Sequence, residues 1–138
     1  IEKYGAPAIV IDFGTATKLE AIAENGDYLG GVILPGIGIS VQALLARASR
    51  LFEIEWRIPE HVIGQSSVEA MQSGFVFGFA GQAEALIQRF REEIGCRAQV
   101  VATGGLAPQI VPACPSIEIL APWLTLDGLR SLYYRQKT

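Results

Sequence analysis

The sequence is poor in the residues that build metal centres and disulfide frameworks. It has two cysteines, Cys96 and Cys114, and a single histidine, His61. Two cysteines far apart, with no second pair, exclude a disulfide scaffold, and a zinc site would need more ligands. The usage is that of reduced thiols in a cytoplasmic protein. His61 follows Pro59-Glu60 in an expected loop, where nothing nearby would make it a catalytic base. Charge is scarce too, at 18% of residues with a net charge of −3. No Lys/Arg cluster precedes the C-terminal tail (Arg130, Arg135, Lys137), so a nucleic-acid partner is disfavoured. The tail instead complements the negative end of a last helix. No apolar run is long enough to cross a bilayer and no signal peptide is read, so no membrane partner is expected. The first residue is Ile1 rather than Met, which reads as a fragment, a processed product or a designed piece.

What is present is material for one core. Half of the 138 residues are hydrophobic, so residues 1–138 are expected to form a single domain. The rest of the chain is organised around Asp12-Phe13-Gly14-Thr15-Ala16-Thr17-Lys18. Ahead of it, Ala8-Ile9-Val10-Ile11 reads as a buried strand with Asp12 at its exit. Gly14 permits a sharp bend and close ligand approach. Two threonines offer hydroxyls and N–H groups. One reading is a phosphate site at a sheet edge; the other is an ordinary hairpin whose Asp stabilises its own turn.

In order, Leu19 to Ala23 is a second strand and Asn25-Gly26 a hairpin signal. Tyr28 to Gly36 is a third strand, ended by Pro35-Gly36. Paired Gly30-Gly31 make it bulged or ligand-facing. Ile37, Val41, Leu44, Leu45, Ala48 and Leu51 follow helical spacing. Ile58-Pro59 breaks that pattern. Ser66-Ser67-Val68-Glu69 matches a capping box that opens a long helix. Its apolar stripe is Val68, Met71, Phe75, Phe79, Leu86, Phe90 and Ile94, and Gly95 ends it. Gly74-Phe75-Val76-Phe77-Gly78 has small-xxx-small spacing, read as internal packing ahead of a dimer contact. Gln99 to Ala102 is a strand, and Thr103-Gly104-Gly105 follows it, either an anion-binding turn or a plain one. Leu106 to Val111 makes a short helix and Ile117 to Leu120 a last strand. Thr125 caps a final helix, with Asp127 near its positive end and Leu126, Leu129, Leu132 and Tyr133 on one side. Three strands followed by β–α alternation predict an α/β fold, a mixed sheet of about five strands with helices on both faces.

That order resembles one half of the actin-like ATPase fold, a ribonuclease H-like domain shared by sugar kinases, acetate kinases and heat-shock chaperones. Five motifs narrow it: Asp12-Phe13-Gly14-Thr15-Ala16-Thr17, Gly30-Gly31-Val32-Ile33-Leu34-Pro35-Gly36, Ile63-Gly64-Gln65-Ser66-Ser67, Thr103-Gly104-Gly105 and Leu124-Thr125-Leu126-Asp127-Gly128-Leu129. Together and in order they resemble the C-terminal half of type III pantothenate kinase. The resemblance implies ATP (with Mg²⁺) and K⁺ or NH₄⁺ as cofactors, pantothenate as substrate, and a homodimer. It implies that Asp12 ligates the monovalent cation, that Thr15 and Gly14 meet ATP phosphates, and that Gly104 and Gly105 lie near adenosine. It places Ser67 against pantothenate, across a dimer interface. Gly30, Gly31, Pro35 and Gly36 are taken as structural support near that pocket.

Three departures stand out. Ser67 and Lys18 each replace a family threonine. The family's first phosphate motif (Asp-x-Gly-Asn-Thr) and the Gly-x-Asp-Arg motif with the general base belong to its other half, so no catalytic residue is expected in this chain. Phosphoryl transfer needs ligands on both sides of the nucleotide and a base within reach of the hydroxyl. The N-terminal half of the kinase is therefore an implied partner. Two readings compete: a non-catalytic half-domain that binds or dimerises, and the N-terminal half of a sugar-kinase relative, which Gly-Gly-x-Ile-x-Pro-Gly argues against.

Overall fold

The computed structural model describes residues 1–137. Its centre is β1 (Ala8–Phe13), which pairs antiparallel with β2 (Ala16–Ile22) and parallel with β4 (Gln99–Thr103). β3 (Tyr28–Pro35) and β5 (Ile119–Leu120) close the two edges, giving a five-stranded mixed sheet of order β3-β2-β1-β4-β5. Four helices join them: α1 (Ile37–Arg47), α2 (Ser67–Ile94), the short α3 (Ala107–Ile110) and α4 (Leu124–Arg135).

Strand alternation sorts the core from the open face. Ile9, Ile11 and Phe13 of β1, Leu19 of β2, and Val100 and Ala102 of β4 all point one way and are buried. α2 lies on them through Ala80, Ala83 and Ile87, and α3 through Ala107 and Ile110. The buried residues of α2 are Met71, Ser73, Phe75, Val76, Ala80, Ala83 and Ile87; Met71 and Phe75 belong to the stripe expected from spacing, whereas farther along the helix Ala80, Ala83 and Ile87 are buried in place of its larger residues. Ala80 and Ala83 put small side chains into the core cluster, while Phe79, Leu86, Phe90 and Ile94 pack against it partly buried. On the opposite sheet face Lys18, Glu20 and Ile33 of β2 and β3 are exposed, whereas Ala8, Val101 and Thr103 of β1 and β4 are buried.

Ser66 caps α2, accepting a hydrogen bond from Glu69 N–H at 3.2 Å. The Glu69 carboxylate accepts from Gln65 N–H at 2.7 Å, one residue earlier than the expected box partner. Gly95 ends the helix in the left-handed conformation, φ 76°. α4 begins one residue before Thr125, with Trp123 at the cap position and no side-chain cap bond. β5 is shorter than expected, because Ile117 N–H turns back to Cys114 C=O at 3.0 Å.

Gly74 and Gly78 do not serve internal packing. A Cβ built on either, or on Gly81, meets nothing within 4 Å. The aromatic residues turn inward instead: Phe75 is buried against Trp56 with ring centroids 5.8 Å apart. Residues 48–66 run over this part of α2 as an extended strap. It is tied down by Gln72 Nε2 donating to Glu55 C=O at 2.8 Å and Ser73 Oγ donating to Val62 C=O.

Candidate functional site

β1 and β4 are parallel neighbours, and the chain leaves them in opposite directions across the sheet. The carboxyl ends of two such strands form a crevice where ligands bind in open α/β sheets. Asp12 is at that end of β1, half-buried on the open face, with Thr103 beside it on β4. Alternation dictates this: with Ile11 and Phe13 turned into the core, Asp12 must point the other way.

Two turns bracket its carboxylate. A Cβ on Gly104 would lie 2.6 Å from Asp12 Oδ1 and 2.6 Å from the Phe13 backbone, and Gly104 has φ +98°. A Cβ on Gly14 would lie 3.3 Å from the same oxygen. The contacts are made by bare backbone, which is why glycine stands at both positions. Leu106 N–H donates to Phe13 C=O at 3.3 Å and ties the turns together. Gly105 has open space around it.

A third element joins them. Gly36, at the cap of α1, donates its N–H to Thr15 C=O at 3.1 Å, and a Cβ there would come within 2.1 Å of that oxygen. The start of α1 is thereby fixed against the Gly14-Thr15 turn. The sequence reading gives Gly36 a supporting role; its signal was a glycine directly after the proline that ends a strand. The two threonines differ. Thr15 is exposed in the turn, whereas Thr17 is in β2, opposite Phe13, and 5% exposed. Only Thr15 offers its hydroxyl to a ligand, since strand alternation sends Thr17 inward. Lys18 stands directly across from Asp12 on β2 and is exposed. Opposed side chains in such a pair start about 5 Å apart. No ion pair joins the two among the described residues.

The structure brings Asp12, Gly14, Thr15 and Gly104 together, with Gly105 on the same turn. Ser67 is elsewhere, exposed on the first turn of α2 beyond the strap. No hydrogen bond or glycine contact links it to the Asp12 cluster among the described residues. No group of three or more His, Cys, Asp or Glu is placed to hold a metal ion among those residues. The carboxylate oxygens of Asp12 are hard donors of the kind a cation would take.

Displaced pKa values lie outside this crevice, in structural clamps. Burial, followed by the neighbouring Glu84 carboxylate, pushes the Cys114 thiol up to about 12. Burial works against the Glu84 charge, but hydrogen bonds from Ser116 and Cys114 and the charge of Arg91 outweigh it and lower its pKa. Glu84 is on α2 and Ser116 precedes β5, so this clamp joins the helix to the sheet edge; Ser116 N–H donates at 2.8 Å.

Comparison with known proteins adds the following. A family model described as type III pantothenate kinase matches residues 1–89. A type III pantothenate kinase of Moorella thermoacetica is 53% identical over 134 residues, covering 97% of this chain and 53% of the relative. One from Streptomyces griseus is 50% identical over 138 residues, covering 98% and 52%. The chain spans about half the length of the curated relatives it matches. A crystal structure from Campylobacter jejuni, described under the Baf family of transcriptional activators, superposes with a TM-score of 0.69 at 21% identity, over 95% of this chain and 59% of that one. At that identity the likeness concerns the fold, which is the α/β, ribonuclease H-like architecture.

Proposed function

The chain belongs to the type III pantothenate kinase family, and on that basis we propose that it is the C-terminal half of a two-domain, ATP-dependent kinase. The whole enzyme transfers the γ-phosphoryl group of ATP to the pantothenate hydroxyl, giving 4'-phosphopantothenate at the start of coenzyme A synthesis. The observation that carries this reading is the Asp12 carboxylate held between two glycine turns at the carboxyl ends of β1 and β4. Nucleotide phosphates are bound by backbone N–H groups in glycine turns and by hydroxyls, which Thr15, Gly104 and Gly105 supply; the Gly14 N–H is donated to Ala16 C=O at 3.2 Å, and Gly14 gives a phosphate close access to the turn. Asp12 holds K⁺ or NH₄⁺, which would offset phosphate charge; Mg²⁺ travels with the nucleotide. Ser67 meets pantothenate across a homodimer interface. That interface uses the open side of α2, where Gly74, Gly78 and Gly81 leave room for a close neighbour.

Among the described residues, Asp12 supplies the carboxylate that the Gly14 and Gly104 turns meet. Phosphoryl transfer rests on positioning and charge stabilisation from both walls of the cleft. This chain supplies one wall. The isolated chain is therefore inactive, and the general base comes from the N-terminal half. No helix among the described residues is long and apolar enough to cross a membrane, which is compatible with a cytoplasmic enzyme.

Steady-state assays of the complete enzyme, varying ATP, pantothenate and cation separately, test the roles. Thr15→Ala raises the ATP requirement. Asp12→Asn weakens the response to K⁺ or NH₄⁺. Ser67→Ala raises the pantothenate KM with less effect on ATP, and Ser67→Thr is mild or beneficial. Robust turnover by the isolated chain would move the base into this half, and an Asp12→Asn enzyme with unchanged cation dependence would remove the cation from that residue.

A further inference from the structure

The crevice is built from β1 with the Gly14-Thr15 turn and β2, the start of α1 at Gly36, and β4 with the Thr103-Gly104-Gly105 turn. Residues 8–46 and 98–123 contain all of these, and the one Lys, Arg or His in either stretch is Lys18. A nucleotide laid over the crevice brings several negative charges up to the Asp12 carboxylate. Backbone N–H groups answer them with partial charges only. A full positive charge supplied by this chain's own crevice segments can come from Lys18 alone.

The hairpin fixes where that charge stands. Lys18 faces Asp12 in the antiparallel register of β1 and β2, one pair back from Phe13 and Thr17 at the turn. Opposed residues of such a pair share a face of the sheet, with Cβ atoms about 5 Å apart. Thr17 is buried, so its neighbour Lys18 emerges on the face that carries Asp12. On its other side Lys18 meets Ile33 of β3, which is apolar and exposed. Glu20 is two residues along β2 on the same face, farther from the turn. None of the ion pairs among the described residues uses Lys18. Its ammonium, on a flexible four-carbon stem, is therefore free to meet a ligand beside Asp12. A lysine ammonium and a free ammonium ion are the same kind of group: compact, singly charged and donating N–H to oxygen.

We propose that Lys18 sets the cation response of this site: its ammonium bridges the Asp12 carboxylate and the nucleotide phosphates, a place that a free monovalent cation would otherwise fill. Lys18 and the cation are alternatives there. Nucleotide binding thus persists without added K⁺ and strengthens only modestly with it. This rests on reading the Asp12 crevice as the nucleotide site of a kinase.

The test is calorimetric binding of a non-hydrolysable ATP analogue with Mg²⁺ to the full-length protein carrying this chain, unmodified and as Lys18→Thr or Lys18→Met. Each is titrated in KCl and in tetramethylammonium chloride of equal ionic strength, the latter cation being bulky and without an N–H to donate. The unmodified protein differs by at most about threefold between the two salts, a small part of the binding free energy. Without K⁺ both variants bind about tenfold more weakly, the loss of a charge-assisted hydrogen bond, and K⁺ restores most of that loss. Variants that match the unmodified protein in both salts overturn the proposal, as does a loss that K⁺ fails to restore. A tenfold or greater K⁺ dependence of the unmodified protein overturns it too. An unmodified protein that binds no nucleotide in either salt removes the kinase reading itself, and the proposal falls with it.

Discussion

α2 and α4 solve opposite problems. α2 puts its apolar line, Val76, Ala80, Ala83 and Ile87, against the sheet and leaves glycines on its far side. α4 puts Asp127 and Ser131 inward and leaves leucines outside. Both are fastened by carboxylates, Glu84 for α2 and Glu2 with Asp127 for α4. Only the α2 fastening is backed by a buried core. One helix is thus seated in the core, and the other lies on the surface with no buried residue.

The comparison breaks first in the core. Ile87→Ala removes a fully buried side chain and costs about 2–5 kcal/mol in urea unfolding, whereas Leu129→Ala in α4 stays within about 0.5 kcal/mol. Equal losses would mean that α4 is part of the same core.

Glycines give the next contrast. Gly36→Ala drives a Cβ into the Thr15 carbonyl and costs about 1–3 kcal/mol, with a shift of the Gly14-Thr15 turn visible in chemical shifts. Gly74→Ala meets open space in a helix interior and stabilises the isolated chain by about 0.5–1 kcal/mol. A destabilised Gly74→Ala chain would show that this side of α2 is not free.

pH separates the fastenings. The native state holds the Cys114 thiol protonated up to about 12. Its contribution is complete below the ordinary thiol pKa and is lost as pH rises from about 8.5 toward that value, so the core weakens in alkali. Ellman's reagent at neutral pH should titrate Cys96 at once and Cys114 only on unfolding. Hydrogen bonds from Ser131 and Arg135 lower the Glu2 pKa, and the Lys3 contact lowers that of Asp127. Their contribution is present above the ordinary carboxylate range and is lost as pH falls through the lowered values. α4 should therefore loosen in acid, read as faster exchange of its amides.

The smallest effect comes from Lys3→Ala. It releases one exposed contact of α4 and should speed exchange there at low salt only, with no measurable change in global unfolding.

Where the sequence was legible, the signals were local. Asp12 at a strand exit, Gly95 as a helix stop and Ser66 as a cap each depend on a few neighbouring residues. The glycine turns at 14 and 104 could be read as candidate contacts, but their meeting at one carboxylate depends on β1 and β4 lying parallel, with most of the chain between them. Spacing marked the buried Met71 and Phe75 of α2 but not Ala80, Ala83 and Ile87, because small alanines carry weak hydropathy and only the sheet shows which side they meet. Thr125 read as a cap because its residue type favours one, although the helix starts earlier.

By itself, then, the amino-acid order determined the elements, the mixed sheet and the residues offered at the strand ends, since backbone sterics and period-2 or period-3.6 patterning act over a few positions. Only the tertiary structure decided that Thr17 points inward, that Gly36 fixes the Thr15 turn, and that the leucines of α4 face out. Hydrophobic patterning marks which side of a helix is apolar; what that side meets is decided by the element packed against it.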